Sequence, residues 1–201
     1  PKLTDVTIYP RRTNTTLPSS VGVIFALNSG YNGKHGAKGL SGRNVEVATV
    51  AYDGISNKVR RIFEIKGTTQ ADQIHFSKST FGYFKEFFYC ENPESVNNVF
   101  DGSCSFFGNG GGAVYFNIVK LNDCLKVQDC NLSLNAGETL FYGRSPVAAN
   151  GYLAGTAQHK IYFKDNRYEL YGTGDVVMWD SNCWNGVFNG GTLKLGGGAV
   201  T

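Results

Sequence analysis

The feature that most constrains this chain is its glycine content. It has 26 glycines among 201 residues, set between short runs of Val, Ile, Phe and Tyr. The fraction is nearly twice the roughly 7% of average usage, and it lacks both the period of collagen and the low hydrophobicity of a disordered tract. Short apolar runs separated by turn residues are typical of β-strands. We therefore predict an all-β protein with long glycine-rich loops and at most one or two very short helices.

Length and charge limit the organisation and the partners. With 201 residues and 41% apolar content, the chain can bury about 70% of the surface that it would expose unfolded. We predict one globular domain over residues 1–201, with 1–3 and 196–201 as frayed tails. The formal net charge of +3 is low and unclustered for a nucleic-acid surface. No apolar run reaches the ~18 residues of a membrane span, so we expect neither nucleic-acid binding nor membrane insertion.

Alternating apolar and polar residues predict several strands. The clearest alternation runs over Asn44 to Tyr52, Lys58 to Lys66 and Ala113 to Leu121. The segment His159 to Tyr171 predicts a β-hairpin, because Asp165 and Asn166 tolerate the backbone angles of a tight turn. A helix start is indicated only at Asn92 to Phe100, where a capping Asn precedes a first-turn Pro. We find no internal repeat at a fixed period.

Motifs of catalysis and metal binding are weak in this sequence. The pattern G-x-S-x-G is absent, and a triad would have to use His35, His75 or His159. His75 and His159 fall in predicted strands and are interpreted as satisfied sheet residues, and His35 as a surface donor. Cys124 and Cys130 are separated by five intervening residues, which is outside the usual zinc spacing. We predict no catalytic residue, no metal and no cofactor, although a Cys-His dyad or a pair of glycosidase carboxylates stays open.

The chain has five cysteines, at positions 90, 104, 124, 130 and 183. An odd number leaves at least one thiol unpaired in a monomer. We interpret them as free buried thiols of a protein that is assembled in a reducing compartment. A bridge between Cys124 and Cys130 is the alternative.

Two segments have the composition of a binding surface. Asn28 to Gly42 is a loop with five glycines, and loops of that length are usually functional. The segment Trp179 to Asn185 holds both tryptophans together with acid, amide and hydroxyl groups, a combination that suits contact with a sugar. The alternative for the second segment is structural, with Trp179 ending a core strand and Trp184 closing the core beneath a loop.

The stretches Val23 to Arg43 and Phe81 to Cys90 resemble the capsid spike of avian, turkey-type astroviruses. The resemblance concerns the overall residue pattern and the length of almost the whole chain, and it includes no signature motif. It implies an antiparallel β-barrel or sandwich at the virion surface, cut from a precursor that is assembled in the host cytoplasm. It further implies attachment to a host-cell receptor, recognition by neutralising antibodies and pairing as a homodimer.

We therefore hypothesise a viral attachment module without enzymatic activity, which binds a glycan or protein receptor. The rival hypotheses are an all-β protease or glycosidase and a lectin-like carbohydrate-binding domain. For the homodimer contact we predict the aromatic run of Phe81, Tyr83, Phe87 and Tyr89, whose alternative is a core strand. The predicted receptor-binding residues are Tyr31, Asn32, Lys34, His35, Lys38, Arg43, Trp179, Asp180, Asn182, Trp184 and Asn185.

Overall fold

The fold is known from a computed structural model. It describes residues 2–9, 20–27, 40–47, 58–66, 74–91, 98–108, 112–120, 125–143, 160–181 and 185–195. These residues form eighteen strands and no helix. The strands are β1 Lys2–Ile8, β2 Ser20–Leu27, β3 Ser41–Val47, β4 Lys58–Ile65, β5 His75–Ser77, β6 Thr80–Gly82, β7 Phe84–Glu91, β8 Asn98–Asp101, β9 Ser105–Phe107, β10 Val114–Lys120, β11 Leu125–Gln128, β12 Asn131–Asn135, β13 Thr139–Gly143, β14 Lys160–Lys164, β15 Arg167–Tyr171, β16 Val177–Ser181, β17 Asn185–Asn189 and β18 Thr192–Leu195.

Every strand pairing among the described residues is parallel, so the expected antiparallel barrel or sandwich is wrong. A six-stranded sheet has the order β16-β13-β10-β7-β4-β2, and a twelve-stranded sheet branches at β3, which pairs with both β5 and β6. We call the branch β5, β8, β11, β14, β17 the first arm and the branch β6, β9, β12, β15, β18 the second arm. The chain visits the six-stranded sheet, the first arm and the second arm in turn. It is therefore a parallel β-helix with three strands in each coil from β4 onward.

Inside the coils, aromatic and aliphatic side chains form rows along the axis of the β-helix. The ring of Phe63 lies 5.1 Å from Phe76 and 5.5 Å from Phe87, at angles near perpendicular, within the range in which aromatic pairs attract. Each row takes one residue from each coil, and these residues are partners in the strand pairing. The row of the six-stranded sheet is Phe25, Phe63, Phe88, Phe116, Phe141 and Trp179, that of the first arm is Phe76, Phe100, Val127, Phe163 and Phe188, and that of the second arm is Val47, Phe81, Phe106, Leu132, Tyr168 and Leu193.

The two arms meet at a corner where each coil has at least one residue with a positive φ, and two coils have a second one, at Gly102 and Gly191. We call one such residue from each coil the corner column; its members are Asp5, Asn44, Lys78, Ser103, Asp129, Asp165 and Gly190, with φ between 50° and 71°. Asn and Asp enter this left-handed region more readily than most residues. The left-handed residues redirect the strand without reversing it, so the chain turns from the first arm into the second.

The corner column explains why the predicted hairpin is wrong. β14 and β15 do lie on either side of Asp165, but each pairs with other coils and not with its sequence neighbour. A two-residue hairpin turn of type I′ needs positive φ at both central residues. Asp165 has a φ of 52°, whereas Asn166 is absent from the positive-φ residues. The chain therefore bends once and continues around the β-helix.

Buried polar side chains stack on the inner side of the same corner. They form the inner corner row, which consists of Ser79, Cys104, Cys130 and Asn166, all at most 1% exposed. The Asn166 amide donates to the Val127 carbonyl at 2.9 Å, and its oxygen accepts from the Cys130 amide at 3.0 Å. Next in line is Gly191, where a Cβ would lie 2.3 Å from the Asn166 carbonyl oxygen, so only glycine fits.

Several further predictions are settled by the strands. The runs Lys58 to Lys66 and Ala113 to Leu121 are confirmed as β4 and β10. The helix start at Asn92 to Phe100 is wrong where it can be checked, since its last residues lie in β8 and residues 92–97 fall outside the described part. Of the cysteines, Cys90, Cys104 and Cys130 are buried thiols that form no disulfide, as expected. Cys124 and Cys183 lie outside the described residues, and so does the alternative bridge to Cys130.

Candidate functional site

The outer face of the first arm carries a set of exposed and half-buried polar side chains. Because successive strand residues point to opposite faces, two outer rows flank the buried row of Phe100, Val127 and Phe163. We call these two rows the polar face. One row is Ser41, His75, Val99, Lys126, Tyr162 and Val187, and the other is Arg43, Ser77, Asp101, Gln128, Lys164 and Asn189.

A groove of about 400 Å³ lies at the C-terminal half of the polar face. We call it the outer groove. It is lined by Lys126 from β11, by Tyr162, Phe163 and Lys164 from β14, and by Val187 and Asn189 from β17. Lys126, Tyr162 and Val187 are register partners on adjacent strands, which lie roughly 4.8 Å apart. The groove thus presents an amine, an aromatic ring and an aliphatic side chain in a line, beside a second amine and an amide.

His75 and Asp101 form an exposed pair on the same face. His75 Nε2 lies 3.0 Å from each carboxylate oxygen of Asp101, and the His75 side chain is 52% exposed. Ser41 is the register partner of His75 on β3. The hydrogen bonds of the described residues link His75 to Asp101 and not to this serine. The pair matches the interpretation of His75 as a satisfied sheet residue.

The outer face of the six-stranded sheet holds a compact ionic network. Arg61 is 7% exposed, donates to Glu64, and donates through Nε to Glu86 at 2.5 Å. Its guanidinium lies 3.5 Å above the ring of Tyr89, and Asn117 donates to the second oxygen of Glu86 at 2.5 Å. Burial raises the pKa of Tyr89, with a further contribution from its hydrogen bond to Glu91. Since one arginine binds both carboxylates, the network has the character of a structural contact.

A smaller hollow of about 350 Å³ lies at the N-terminal end of the corner column. Its lining residues are Thr4, Asp5, Arg43, Asn44 and Lys78. Asn44 donates to Asp5 at 2.7 Å, which ties β3 to β1 across the corner. Arg43 is the one predicted receptor residue of the glycine-rich segment that the structure describes. It is exposed on the polar face, but β5 and β8 separate it from the outer groove.

The other predicted receptor residues are not brought together with Arg43. Trp179 stacks on Phe141 at 4.0 Å and packs against the core, as the structural alternative predicted. Asp180 is half-buried on the outer face of the six-stranded sheet, and Asn185 begins β17, with its side chain outside the described part. The residues Tyr31, Asn32, Lys34, His35, Lys38, Asn182 and Trp184 also lie outside it.

The predicted dimer contact divides between core and surface. Phe81 and Phe87 are fully buried, which is the core alternative stated for this run. The run is not one strand, because Tyr83, with a φ of 57°, turns the chain from β6 into β7. Tyr83 is 44% exposed and its ring meets Phe107 edge-on at 5.3 Å, whereas Tyr89 lies beneath Arg61. The homodimer stays a prediction that rests on Tyr83 and Tyr89.

Sequence reasoning missed the residues of the outer groove. Lys126, Tyr162 and Lys164 occur in short ordinary strands, and nothing in their immediate neighbourhood marks them as a site. The alternation of each strand places them outward, but only the pairing of β11 with β14 brings them together. No group of three or more His, Cys, Asp or Glu side chains converges to hold a metal ion within the described ranges.

Comparisons with protein-family models, curated proteins and solved structures find no match for this chain. None of the described residues forms a helix that is long and apolar enough to cross a membrane.

Proposed function

We propose that this chain is a non-enzymatic attachment module whose outer groove binds a glycan of a cell surface. The observation that carries the proposal is the composition of the groove, in which Tyr162 and Val187 lie beside Lys126, Lys164 and Asn189. A sugar ring offers apolar faces to an aromatic ring and hydroxyl groups to amides and amines. Binding sites for small ligands combine apolar walls with a few polar groups in this way.

The rigidity of the β-helix supports the same proposal. The groove residues stand on β11, β14 and β17, whose inner side chains are packed in the core up to Phe163. A site held on paired strands loses little conformational entropy when a ligand binds, which favours affinity. An extended ligand would follow the long axis of the β-helix, because successive coils repeat the same outer positions.

A role in viral attachment remains part of this proposal and depends on the resemblance alone. The resemblance to astrovirus spikes implies an antiparallel barrel, and the parallel β-helix differs from it. The location on a virion, the antibody recognition and the homodimer therefore stay predictions. Light scattering tests the homodimer directly: a dimer that Tyr83→Ser converts to a monomer supports the predicted contact, and a monomeric parent protein contradicts it.

The test of glycan binding is an oligosaccharide array probed with the purified protein and two variants. We expect binding to a restricted set of glycans that Tyr162→Ala abolishes. Tyr171→Ala is the matched control, because Tyr171 is 46% exposed on the outer side of the second arm and lies far from the groove. Equal binding by the parent protein and the Tyr162 variant would contradict the proposal.

The hydrolase hypothesis is tested in the same experiment. Glycans that bind are incubated with the protein and analysed for shortened products. Turnover that His75→Ala or Glu86→Gln abolishes would replace the attachment module with an enzyme. We expect the bound oligosaccharide to be recovered intact.

A further inference from the structure

The outer groove contains a half-buried cation that forms no ion pair with another described residue. The ion pairs among the described residues do not include Lys126, although its side chain is half-buried beside Tyr162. Lys164 Nζ lies 3.8 Å from Asp165 Oδ2, which is long for an ion pair, and both of these side chains are about half exposed. Exposed pairs of this kind contribute little. The groove therefore has positive charge that an anionic ligand could neutralise.

The two amines are placed around the aromatic ring. Lys126 and Tyr162 are register partners, and Lys164 follows Tyr162 by two residues on the same face of β14. The Lys126 amine therefore lies opposite the ring on the neighbouring strand, and the Lys164 amine lies beside the ring on the same strand. The two amines are diagonal to each other across the strand pair. A ligand that lies on Tyr162 brings substituents on two of its edges within reach of an amine.

From this arrangement we propose that the ligand of the outer groove is an acidic saccharide, whose carboxylate is bound by Lys126 while its ring lies on Tyr162. The inference rests on the proposed function and makes it more specific. A carboxylate accepts from an ammonium group in a charge-assisted hydrogen bond, which is stronger than a bond between neutral groups. Lys164 and Asn189 bind the remaining polar groups of the sugar, and Val187 extends the apolar platform.

The charges around the groove fit a saccharide better than an acidic peptide or a nucleic acid. Asp129 and Asp165 lie at the adjacent corner, and Asp101 follows on the polar face. These carboxylates would repel a long, uniformly charged chain. A saccharide that carries a single carboxylate on its terminal unit places that charge at Lys126 and neutral hydroxyl groups towards the corner.

The experiment uses titration calorimetry with two pairs of probes. The first pair is an oligosaccharide with one terminal hexuronic acid and its carboxyl-reduced form, and the second is sialyllactose and its carboxyl-reduced form. We expect at least one acidic probe to bind about ten- to a hundredfold more tightly than its reduced form, as loss of one charged hydrogen bond predicts. Lys126→Met should weaken the acidic probe by the same factor and leave the reduced probe unchanged, and Lys126→Arg should restore most of the affinity.

Lys85→Met is the matched control, because Lys85 is exposed on the six-stranded sheet and lies outside the groove. Circular dichroism and the unfolding midpoint establish that each variant is folded. Equal affinity for acidic and reduced probes, still abolished by Tyr162→Ala, would overturn the acidic ligand and leave glycan binding intact. Binding of a sulfated saccharide but of neither carboxylate probe would also overturn it. Failure of every glycan to bind the parent protein would overturn the proposed function itself.

Discussion

The central coils and the last coil are built from the same inner rows, but they bury them to different extents. Phe163 is 1% exposed, whereas Phe188, the next residue of its row, is 46% exposed. Leu132 is fully buried, whereas Leu193, two coils further along its row, is 50% exposed. Within the described ranges, β16, β17 and β18 have a neighbouring coil on one side only.

The difference teaches that burial in this fold is a property of the stack. Each coil is covered by the coils before and after it. A side chain of given size therefore contributes most to stability where both neighbouring coils are present. This is the behaviour of repeat proteins, whose stability is approximately a sum over repeats and the interfaces between them. Substitutions of the same kind should therefore have larger effects in the centre than at the end.

The largest effect is expected when a central ring is removed. Phe100 is fully buried between the rings of Phe87 and Phe88, at 5.0 and 5.8 Å. Phe100→Ala should lower the free energy of unfolding by about 3–5 kcal/mol, since it leaves a cavity that the coils cannot close. Phe188→Ala, the matched substitution in the last coil, should cost about 1 kcal/mol, because half of that ring is already exposed. Urea denaturation measures both, and equal losses would contradict the comparison.

The next largest loss of stability is expected when the buried asparagine of the inner corner row is replaced. Asn166 is 1% exposed and forms hydrogen bonds with Val127, Cys130 and Tyr168. Asn166→Ala would leave the Cys130 amide and the Val127 carbonyl without these partners, at a cost of about 2–3 kcal/mol. Asn189→Ala, an exposed asparagine of the last coil, should change the free energy of unfolding by less than about 0.5 kcal/mol. If the two variants unfold at the same urea concentration, the inner corner row does not stabilise the coils.

The strands could be predicted from the sequence, but their direction could not. Alternation in Lys58 to Lys66 identifies β4, because a half-buried strand has the same period of two whether its neighbours are parallel or antiparallel. Parallel sheets usually need helical crossovers; the sequence shows almost no helical pattern, and the antiparallel direction came from the resemblance to astrovirus spikes. In this chain the crossovers are made of other strands. The pattern of β14 and β15 around Asp165 is equally compatible with a hairpin and with a corner.

The repeat was also hidden by its uneven length. Successive partners in the row of the six-stranded sheet, from Phe63 through Phe88 and Phe116 to Phe141, are 25, 28 and 25 residues apart, and the next interval, to Trp179, is 38 residues. Insertions between strands change the spacing without changing the pairing. The outer groove depends on this pairing across coils, so neither its position nor its residues could be derived from local patterns.

A smaller change in the free energy of unfolding is expected at high pH, because two tyrosines at different places in the stack ionise there. Burial raises the pKa of Tyr115, in a central coil, well above its usual value, and the Glu138 carboxylate adds to the shift. Burial also raises the pKa of Tyr168, which neighbours the last coil, to about 12. In both cases the folded state keeps the proton that the unfolded state loses near pH 10. The stabilisation is therefore complete below pH 10 and is lost as pH rises towards the folded-state pKa.

Each tyrosine should lower the free energy of unfolding by up to about 1.4 kcal/mol for each pH unit above 10. Tyr115→Phe and Tyr168→Phe should each remove one tyrosine's contribution from that slope. Urea denaturation between pH 9 and 11.5 measures the slope. Tyr115→Phe also removes the hydrogen bond that the hydroxyl accepts from the Gly108 amide at 2.7 Å, so its stability at pH 7 should fall as well. An unchanged slope in both variants would show that these hydroxyls do not control the alkaline limit.

The smallest effect tests the corner column, where the central and last coils use different residues. Gly190 holds the left-handed position of the last coil with a φ of 67°, and Lys78 holds that of a central coil with a φ of 50°. A side chain with a Cβ is strained in this region, whereas glycine is not. Lys78→Gly should therefore raise the free energy of unfolding by up to about 1 kcal/mol. Lys85→Gly, the same substitution within β7, should lower it by about 0.5–1 kcal/mol. Opposite signs in thermal denaturation would show that the corner, and not loss of a lysine, decides the result, whereas a loss in both variants would mean that the packed central coils hold Lys78 without strain.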